Sequence, residues 1–219
     1  MVSGRAIDVA SGLRLTWLGP LPLVIGDGVQ VAFSPDSGFL ATSGADLTVF
    51  ETGAWSEIAR ISHDEGWWWD LEFSPDGRYL LGADTPKGVV RLDTSTWEYV
   101  GEPFSSRGGM LRDIDVSRDG SMIATADFDG FVDIWDSRTG DLIQTIPVGD
   151  TRVSVSSFLE EQHLLVIPVD RPAMVVTIDV SELIDIARSQ VTRSLTEGEC
   201  TTYHIDPCPT LEEIQSGSA

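Results

Sequence analysis

The sequence predicts an all-β protein built from repeated sheets, and three observations support this. Short apolar runs end in acidic residues that recur 42 or 43 residues apart, at Asp8, Glu51, Asp93, Asp136 and Asp179. Ser-Pro-Asp or Ser-Arg-Asp turns precede the internal marks, and apolar and polar residues alternate around them. A period of about 40–45 residues with several short strands in each unit predicts a β-propeller of about four blades.

The third unit shows the strand order of one blade. Leu111–Ser117 alternates apolar with acidic residues, which is typical of a half-buried strand. After a turn, Ser121–Ala126 is almost entirely apolar or small, as an inner strand should be. Phe131–Asp136 follows an Asp-Phe-Asp-Gly turn, and DLIQTIPV supplies a fourth strand.

The other units repeat this order with local departures. The first contains QVAFSPDSGFLATSG followed by LTVFE, and the second contains DLEFSPDGRYLLGA followed by VVRLD. The fourth keeps its apolar strands, but Glu160-Glu161-Gln162 replaces the Asp-Gly turn. The prediction for this unit therefore depends on its apolar pattern and on the return of the register at Asp179.

Three segments resemble WD40 repeats: HDEGWWWDLEFSPDG, FSPDGRYLLGA and ATADFDGFVDIWDSRTG, in which Trp135-Asp136 is the WD dipeptide. The resemblance covers about residues 5–180. It implies a β-propeller whose loops bind proteins or peptides. It also implies a buried hydrogen-bond network, to which His63, Asp129 and Trp135 correspond. The second unit departs from the family pattern, since Leu92 stands at the Trp position.

The strand count does not fit a self-contained ring of four blades. The pattern gives 17 strands, one more than the 16 that four blades use, and RAID (5–8) is left over. The segment LRLTWL (13–18) is a candidate to complete the last blade. We expect either that this chain is the carboxy-terminal part of a longer array or that copies pair through their open ends, because unpaired strand edges need a cover.

The predicted propeller spans residues 1–180, and residues 181–219 are predicted to form a short α-helical tail. Leu183, Ile184 and Ala187 follow helical spacing after Ser181, a candidate N-cap, and Thr196 to Glu199 fits a capping box. The tail resembles one that follows WD40 arrays in multidomain bacterial signalling proteins. That resemblance implies an upstream effector such as a kinase, cyclase, NTPase or DNA-binding activator.

Composition narrows the classes of partner and location. A net charge of −21 opposes direct binding of nucleic acid and of anionic membrane surfaces. The chain has no apolar run long enough to span a membrane and no basic, then apolar, secretory leader at its start. Cys200 and Cys208 lie close together in the tail and do not make a disulfide framework, so we expect a cytoplasmic protein.

The segment Trp67-Trp68-Trp69 is the candidate partner-binding site. It enters the second full unit, on the face where WD40 proteins commonly bind peptides, and Arg112 takes the corresponding place in the next unit. Exposed aromatic residues often anchor a partner side chain or terminus. The alternative is that Trp69 packs against its neighbours in the same protein.

Catalysis is the alternative function. Four acidic residues on innermost strands are candidates for paired general acids and bases: Asp70, Glu72, Asp113 and Asp115. The alternative is that they occupy solvated positions of alternating strands, and we predict a non-enzymatic scaffold without a cofactor. A third possibility is a gene fragment that does not fold alone.

The sequence gives no convincing metal site. The turn Asp127-x-Asp129-Gly130 lacks the third acidic position and the closing Glu of a calcium loop. Cys200, Cys208 and His204 are one ligand short of a closed zinc site. The two cysteines fit a small packed tail or a disulfide formed outside reducing conditions.

Overall fold

The structure, a computed structural model, describes residues 30–44, 46–62, 66–85, 87–104, 110–160, 162–203 and 207–217. It is mainly β, with antiparallel sheets followed by a short helical tail, as predicted. The segments RAID and LRLTWL and the predicted network residue His63 lie outside the described residues.

Four sheets follow one another along the described chain, and each forms one propeller blade. The first contains β1 (Val31–Phe33), β2 (Phe39–Thr42), β3 (Asp46–Glu51) and β4 (Ser56–Ser62). The second contains β5 (Trp67–Phe73), β6 (Tyr79–Thr85) and β7 (Gly88–Asp93). The third contains β8 (Leu111–Val116), β9 (Met122–Asp127), β10 (Phe131–Asp136) and β11 (Leu142–Pro147). The fourth contains β12 (Val153–Glu160), β13 (His163–Pro168) and β14 (Met174–Thr177).

Each sheet is a simple antiparallel meander, because strands adjacent in sequence are also adjacent in space. The second sheet has an irregular fourth strand, which joins β7 through the isolated bridges Leu92–Tyr99 and Val89–Phe104. In the described residues of the fourth sheet, β14 is the outer edge strand. The first strands of the sheets contact one another in order, from β1 to β5, β8 and β12.

The Ser-x-Asp turns use the same hydrogen bonds in three sheets. The Ser74 hydroxyl donates to the Asp76 carboxylate at 2.6 Å and accepts from the backbone N–H of Tyr79 at 3.0 Å. Gly77 completes this turn with a φ of +71°, a conformation that favours glycine. The same hydroxyl–carboxylate bond joins Ser34 to Asp36 and Ser117 to Asp119. This repeated turn explains why the motif marks the register of the repeat.

The hydrophobic core lies between successive sheets rather than inside one sheet. One cluster joins residues of the first sheet, such as Val49, to Leu71 and Phe73 of the second. A second cluster lies between the second and third sheets, and a third packs the third sheet against Leu164 and Val166 of the fourth. Each blade is therefore stabilised mainly by apolar area buried against its neighbours.

The tail contains three short helices: α1 (Val180–Gln190), α2 (Glu197–Tyr203) and α3 (Leu211–Ser216). The N-cap of α1 is Asp179, whose carboxylate accepts from the backbone N–H groups of Ser181 and Glu182, so the expected N-cap Ser181 is wrong and lies two residues inside the helix end. Glu182 also accepts from Thr177 at 2.8 Å and lies 2.9 Å from His163, which attaches the start of α1 to the fourth sheet.

The remaining tail is held by local bonds. Thr196 and Glu199 form the predicted capping box of α2. A second capping box, formed by Thr210 and Glu213, begins α3. It was not predicted from the sequence. Cys200 and Cys208 form a disulfide. It joins α2 to the segment that precedes α3, so the tail is covalently closed as well as hydrogen-bonded.

Candidate partner-binding site and inner-strand carboxylates

Phe128 is the centre of an aromatic and cationic cluster on the loop side of the sheets. Its ring lies edge-on to Trp69, with 5.4 Å between ring centroids and 66° between ring planes. Trp69 belongs to β5 of the second sheet, whereas Phe128 lies in the turn between β9 and β10 of the third. The contact therefore joins two blades through side chains that both remain partly exposed.

Two arginines flank the same ring. The guanidinium carbons of Arg112 and Arg152 lie 6.0 and 5.9 Å from the centroid of Phe128. Arg112 is on β8, and Arg152 precedes β12, so the fourth sheet contributes as well. An arginine side chain that stacks on an aromatic ring keeps its positive charge. Because the ring already orders this side chain, binding of an anion costs it little further conformational entropy. We call Trp69, Arg112, Phe128 and Arg152 the aromatic–arginine rim.

The local sequence explains how these side chains reach one rim. Trp69 and Arg112 occupy corresponding positions near the beginning of β5 and β8, 43 residues apart. Phe128 is held in its turn because its N–H donates to the Met110 carbonyl at 3.1 Å, while the Asp127 carboxylate accepts from Asp129 and Phe131. The repeat therefore positions the arginine and the tryptophan, and the turn positions the phenylalanine.

The three adjacent tryptophans separate into two environments. Trp68 is fully buried in the core between the first and second sheets, so the structure removes it from the predicted partner-binding surface. The reason is strand alternation, since neighbouring residues point to opposite faces. Trp68 fits there because its neighbour is Gly82, where an added Cβ would lie 2.5 Å from Trp68 Cζ3. Trp67 and Trp69 are half-buried.

The carboxylates of the inner strands bind the backbone of the next sheet. The Asp70 carboxylate accepts from the N–H of Ile114 at 3.0 Å. One blade further on, Asp113 accepts from the N–H of Ser156 at 2.7 Å, and Asp115 accepts from the N–H of Phe158 at 2.6 Å. These side chains thus act as hydrogen-bond acceptors between blades, at positions that repeat with the sequence period.

The same carboxyl groups titrate abnormally. Burial, followed by the charges of Asp115, Asp70 and Asp113, raises the pKa of Glu72 to about 8. Burial also raises the pKa of Asp113 to about 7, although its bond from Ser156 acts in the opposite direction. The pKa values of Asp70 and Asp115 are likewise raised mainly by burial. Glu72 therefore remains largely protonated at neutral pH.

This arrangement fits a structural role better than paired acid–base catalysis. Three of the four carboxylates already accept backbone hydrogen bonds, and Glu72 alone has none among the described contacts. A general acid needs a raised pKa, and Glu72 meets that condition. Paired acid–base catalysis would also need a second carboxyl group that is free to exchange a proton, and the other three carboxylates of this group accept backbone hydrogen bonds.

The residues predicted for the WD40 network are placed differently from one another. Trp135 is buried, and its indole N–H donates to the Thr125 hydroxyl at 3.0 Å. Asp129 is exposed, and the buried carboxylate of this turn belongs to Asp127 instead. The physical reason is that Asp127 accepts two backbone bonds across the turn, which fixes it inward. Sequence position alone does not distinguish these two aspartates.

A cavity of about 310 Å³ lies at the other end of the strands, between the second and third sheets. Its lining includes Arg78, Tyr79, Arg91 and Arg138. Arg91 crosses this gap and donates to the carbonyl of Ser137 at 2.7 Å, which makes it a second type of link between blades. No single repeat indicates this cavity, because its walls come from separate repeats.

The described residues contain no group of three or more His, Cys, Asp or Glu side chains arranged to hold a metal ion. None of the helices in this part of the chain combines the length and the hydropathy of a membrane-spanning segment.

A family model described as WD domain, G-beta repeat, matches residues 25–50 and 100–136. These matches cover the first three strands of the first sheet and of the third, and the latter contain the Trp135–Thr125 bond. The chain contains WD40 repeats. The aromatic–arginine rim lies on the second, third and fourth blades, and the described residues of the first blade contribute nothing to it.

Proposed function

We propose that this WD40 protein is a non-enzymatic interaction module that binds a peptide or protein segment at the aromatic–arginine rim. The main support for this proposal is that Trp69, Phe128 and the two arginines come from three successive blades and lie together. Interface hot spots are enriched in Trp, Tyr and Arg, and aromatic rings next to arginine supply both apolar area and polar contacts.

The charge of the rim contrasts with that of the whole chain. In a protein of net charge −21, Arg112 and Arg152 form no salt bridge among the described residues. Their guanidinium groups retain donors that fit a carboxylate, such as an acidic side chain or a chain terminus. Trp67, half-buried at the start of β5, is proposed to extend the apolar part of this surface.

The test is selection of a phage-displayed random peptide library on the whole chain, followed by affinity measurements on variants. We expect Phe128→Ala and the double change Arg112→Gln, Arg152→Gln to weaken the selected peptides at least about tenfold, as for interface hot spots. The control is Arg118→Gln, because Arg118 is exposed at the opposite end of β8. Equal loss in the control, or no loss in the rim variants, would contradict the proposal.

We further propose that the module serves as a scaffold or sensory region of a larger bacterial signalling protein, in the cytoplasm, with units at 1–180 and 181–219. The support is the resemblance of the tail to those that follow WD40 arrays in such proteins. The disulfide makes the location testable, since cytosolic thiols are normally reduced. We expect a membrane-permeant thiol reagent to label Cys200 and Cys208 in living cells. Complete protection of both cysteines from the reagent would oppose a cytoplasmic location.

A hydrolase or lyase using the inner-strand carboxylates is the second candidate, and the raised pKa of Glu72 is the observation that favours it. Its test is a panel of chromogenic esters and glycosides assayed with the wild type and with Glu72→Gln. Turnover that disappears in the variant would support catalysis.

The fragment hypothesis predicts a broad thermal transition, whereas an independent module should unfold in one sharp transition.

A further inference from the structure

Three arginines line the cavity of about 310 Å³ between the second and third sheets, and the neighbouring repeats fold without them. Arg91 on β7 takes the position of Val49 in the first repeat and of Ile134 in the third. Both of those residues are fully buried. The second repeat thus places a guanidinium group where the repeats on either side place an aliphatic core side chain.

The other two arginines are also peculiar to one repeat. Arg78, in the turn between β5 and β6, corresponds to Gly38 in the first sheet and to Ser121 in the third. Arg138, in the turn between β10 and β11, corresponds to Ser95 in the second repeat. None of these equivalents is basic. Because all three departures from the repeat meet at one cavity, they point to a ligand rather than to the requirements of folding.

The aromatic wall of the cavity differs from the equivalent contact one blade earlier. Between the first and second sheets, the ring of Trp97 lies edge-on to Phe39, with 5.2 Å between centroids. The equivalent positions between the second and third sheets hold Gly140 and Tyr79. The Arg78 guanidinium carbon lies 5.4 Å from the centroid of Tyr79. At this interface a cation therefore covers the aromatic ring, where a second ring covers it one blade earlier.

These arginines have no carboxylate partners. Arg78, Arg91 and Arg138 form no salt bridge with a described residue. Arg91 donates to the Ser137 carbonyl, but its buried Nε has no hydrogen-bond partner among the described residues, which costs free energy of folding. In a chain of net charge −21, three such cations at one cavity favour an anionic ligand.

Two aspartates of the same cavity place a second requirement on the ligand. Asp76 and Asp119 belong to the Ser-x-Asp turns of the second and third sheets. Hydrogen bonds from the Ser74 hydroxyl and the Arg78 N–H hold the pKa of Asp76 below its usual range, so this carboxylate stays charged. The carboxylates repel an anion that has no donors, but they accept hydrogen bonds from hydroxyl groups. The walls therefore favour a molecule that carries both an anionic group and hydroxyls.

We propose that this cavity binds a small hydroxylated phosphate monoester, such as a sugar phosphate. A phosphoryl group carries a charge of about −1.5 to −2 at neutral pH and three acceptor oxygens, so it can bind several guanidinium groups. A carboxylate, by contrast, is satisfied by one arginine through two parallel bonds. The volume of the cavity lies at the lower end of the range for ligand pockets. This inference does not rest on the proposed peptide-binding function, because the cavity lies at the opposite end of the strands.

The test is isothermal titration calorimetry on the whole chain with three esters: glycerol phosphate, ribose phosphate and glucose phosphate. At least one of them should bind with one molecule per chain, and added salt should weaken it. Inorganic phosphate and free ribose should each bind at least about tenfold more weakly than that ester. Absence of binding by all three esters, or equal affinity for inorganic phosphate, would overturn the inference.

Substitution of the two exposed arginines locates the site. Arg78→Gln and Arg138→Gln should each weaken the bound ester at least about tenfold, because each removes charge-assisted hydrogen bonds to the phosphoryl group. The control Arg118→Gln removes the same charge from an exposed arginine that does not line the cavity, and it should bind the ester as wild type does. Unchanged binding in both cavity variants, or an equal loss in the control, would contradict the proposal.

Asp76→Asn tests the part assigned to the carboxylates. The amide oxygen can still accept the bonds of the turn, while the variant loses a negative charge and one acceptor oxygen. The affinities for the ester and for inorganic phosphate should therefore move closer together. An unchanged ratio of the two affinities would show that the aspartates do not select hydroxyl groups. Circular dichroism on every variant separates loss of binding from loss of folding.

Discussion

The Asp113 carboxylate accepts hydrogen bonds from both the backbone N–H and the hydroxyl of Ser156, at 2.7 and 3.3 Å. Asp113 lies on β8 and Ser156 on β12, so the bonds join the third blade to the fourth. With the equivalent bond from Ile114 to Asp70, they show that the inner strands are held together by side-chain acceptors as well as by apolar contacts.

Replacement of Asp113 should therefore weaken the attachment of the fourth blade. We expect Asp113→Ala to lower the free energy of unfolding by about 1–3 kcal/mol, because a buried N–H loses its acceptor. Asp113→Asn should cost less, since an amide oxygen can still accept and the charge near Asp70 is removed. Chemical denaturation measures both, and equal stability of the alanine variant and wild type would argue against this role.

Stability should fall as the pH rises through neutrality. Glu72 has a folded pKa of about 8 against an ordinary value of 4.5, so the unfolded chain loses this proton first. The contribution of protonated Glu72 to the free energy of unfolding is present in full below the unfolded pKa, and it is lost as the pH approaches 8. The loss is at most about 1.4 kcal/mol per pH unit. Thermal melting at pH values from about 5 to about 9 measures the slope.

Glu72→Gln is the matched variant for this pH dependence, because it keeps the shape of the side chain and cannot ionise. It should be less sensitive to pH than wild type and more stable at alkaline pH. A variant with the wild-type slope would show that the slope arises at Asp70, Asp113 and Asp115 instead.

Gly82 should tolerate no side chain while Trp68 is present. An added Cβ would lie 2.5 Å from Trp68 Cζ3, inside a fully buried contact. We expect Gly82→Ala to destabilise the protein by about 1–3 kcal/mol through overpacking. In Trp68→Leu the same change should cost much less, and a double-mutant cycle measures the difference. Additive effects would contradict the packing explanation.

Loss of the disulfide should act on the tail and leave the blades intact. The bond closes a short loop between Cys200 and Cys208, which corresponds to about 2–3 kcal/mol in the chain-entropy description. Hydrogen exchange on the double variant Cys200→Ser, Cys208→Ser should therefore accelerate in α2 and α3. Exchange in β8–β10 should be unchanged, and faster exchange there would mean that the tail supports the propeller.

The sequence predicted the fold because the repeat fixes turns and strands together. Phe131–Asp136 was predicted with the bounds that β10 has, and the Ser-x-Asp turns form the expected bonds in three sheets. The predicted N-cap Ser181 was wrong because Asp179 bonds two helix N–H groups first. Helix α3 was missed although Thr210 and Glu213 form a capping box that the sequence contains.

The candidate site was less predictable because its members come from different repeats. Trp69 and Arg112 could be proposed from their repeat positions, but Phe128 and Arg152 join them only through the packing of three blades. Alternation within β5 separates Trp68 from its neighbours, and a short run of three tryptophans does not reveal which one turns inward. Likewise, the inward aspartate of the β9–β10 turn depends on backbone bonds to Asp127.

The most direct test of the central claim is a hydrogen-exchange footprint of a library-selected peptide on the whole chain. Binding at the aromatic–arginine rim predicts slower exchange at the start of β8, in the β9–β10 turn and just before β12. The Ser-x-Asp turns at the other end of the strands should exchange as in the free protein. Protection confined to those turns, or to the outer face of the fourth sheet, would contradict the assignment of the rim as the binding site.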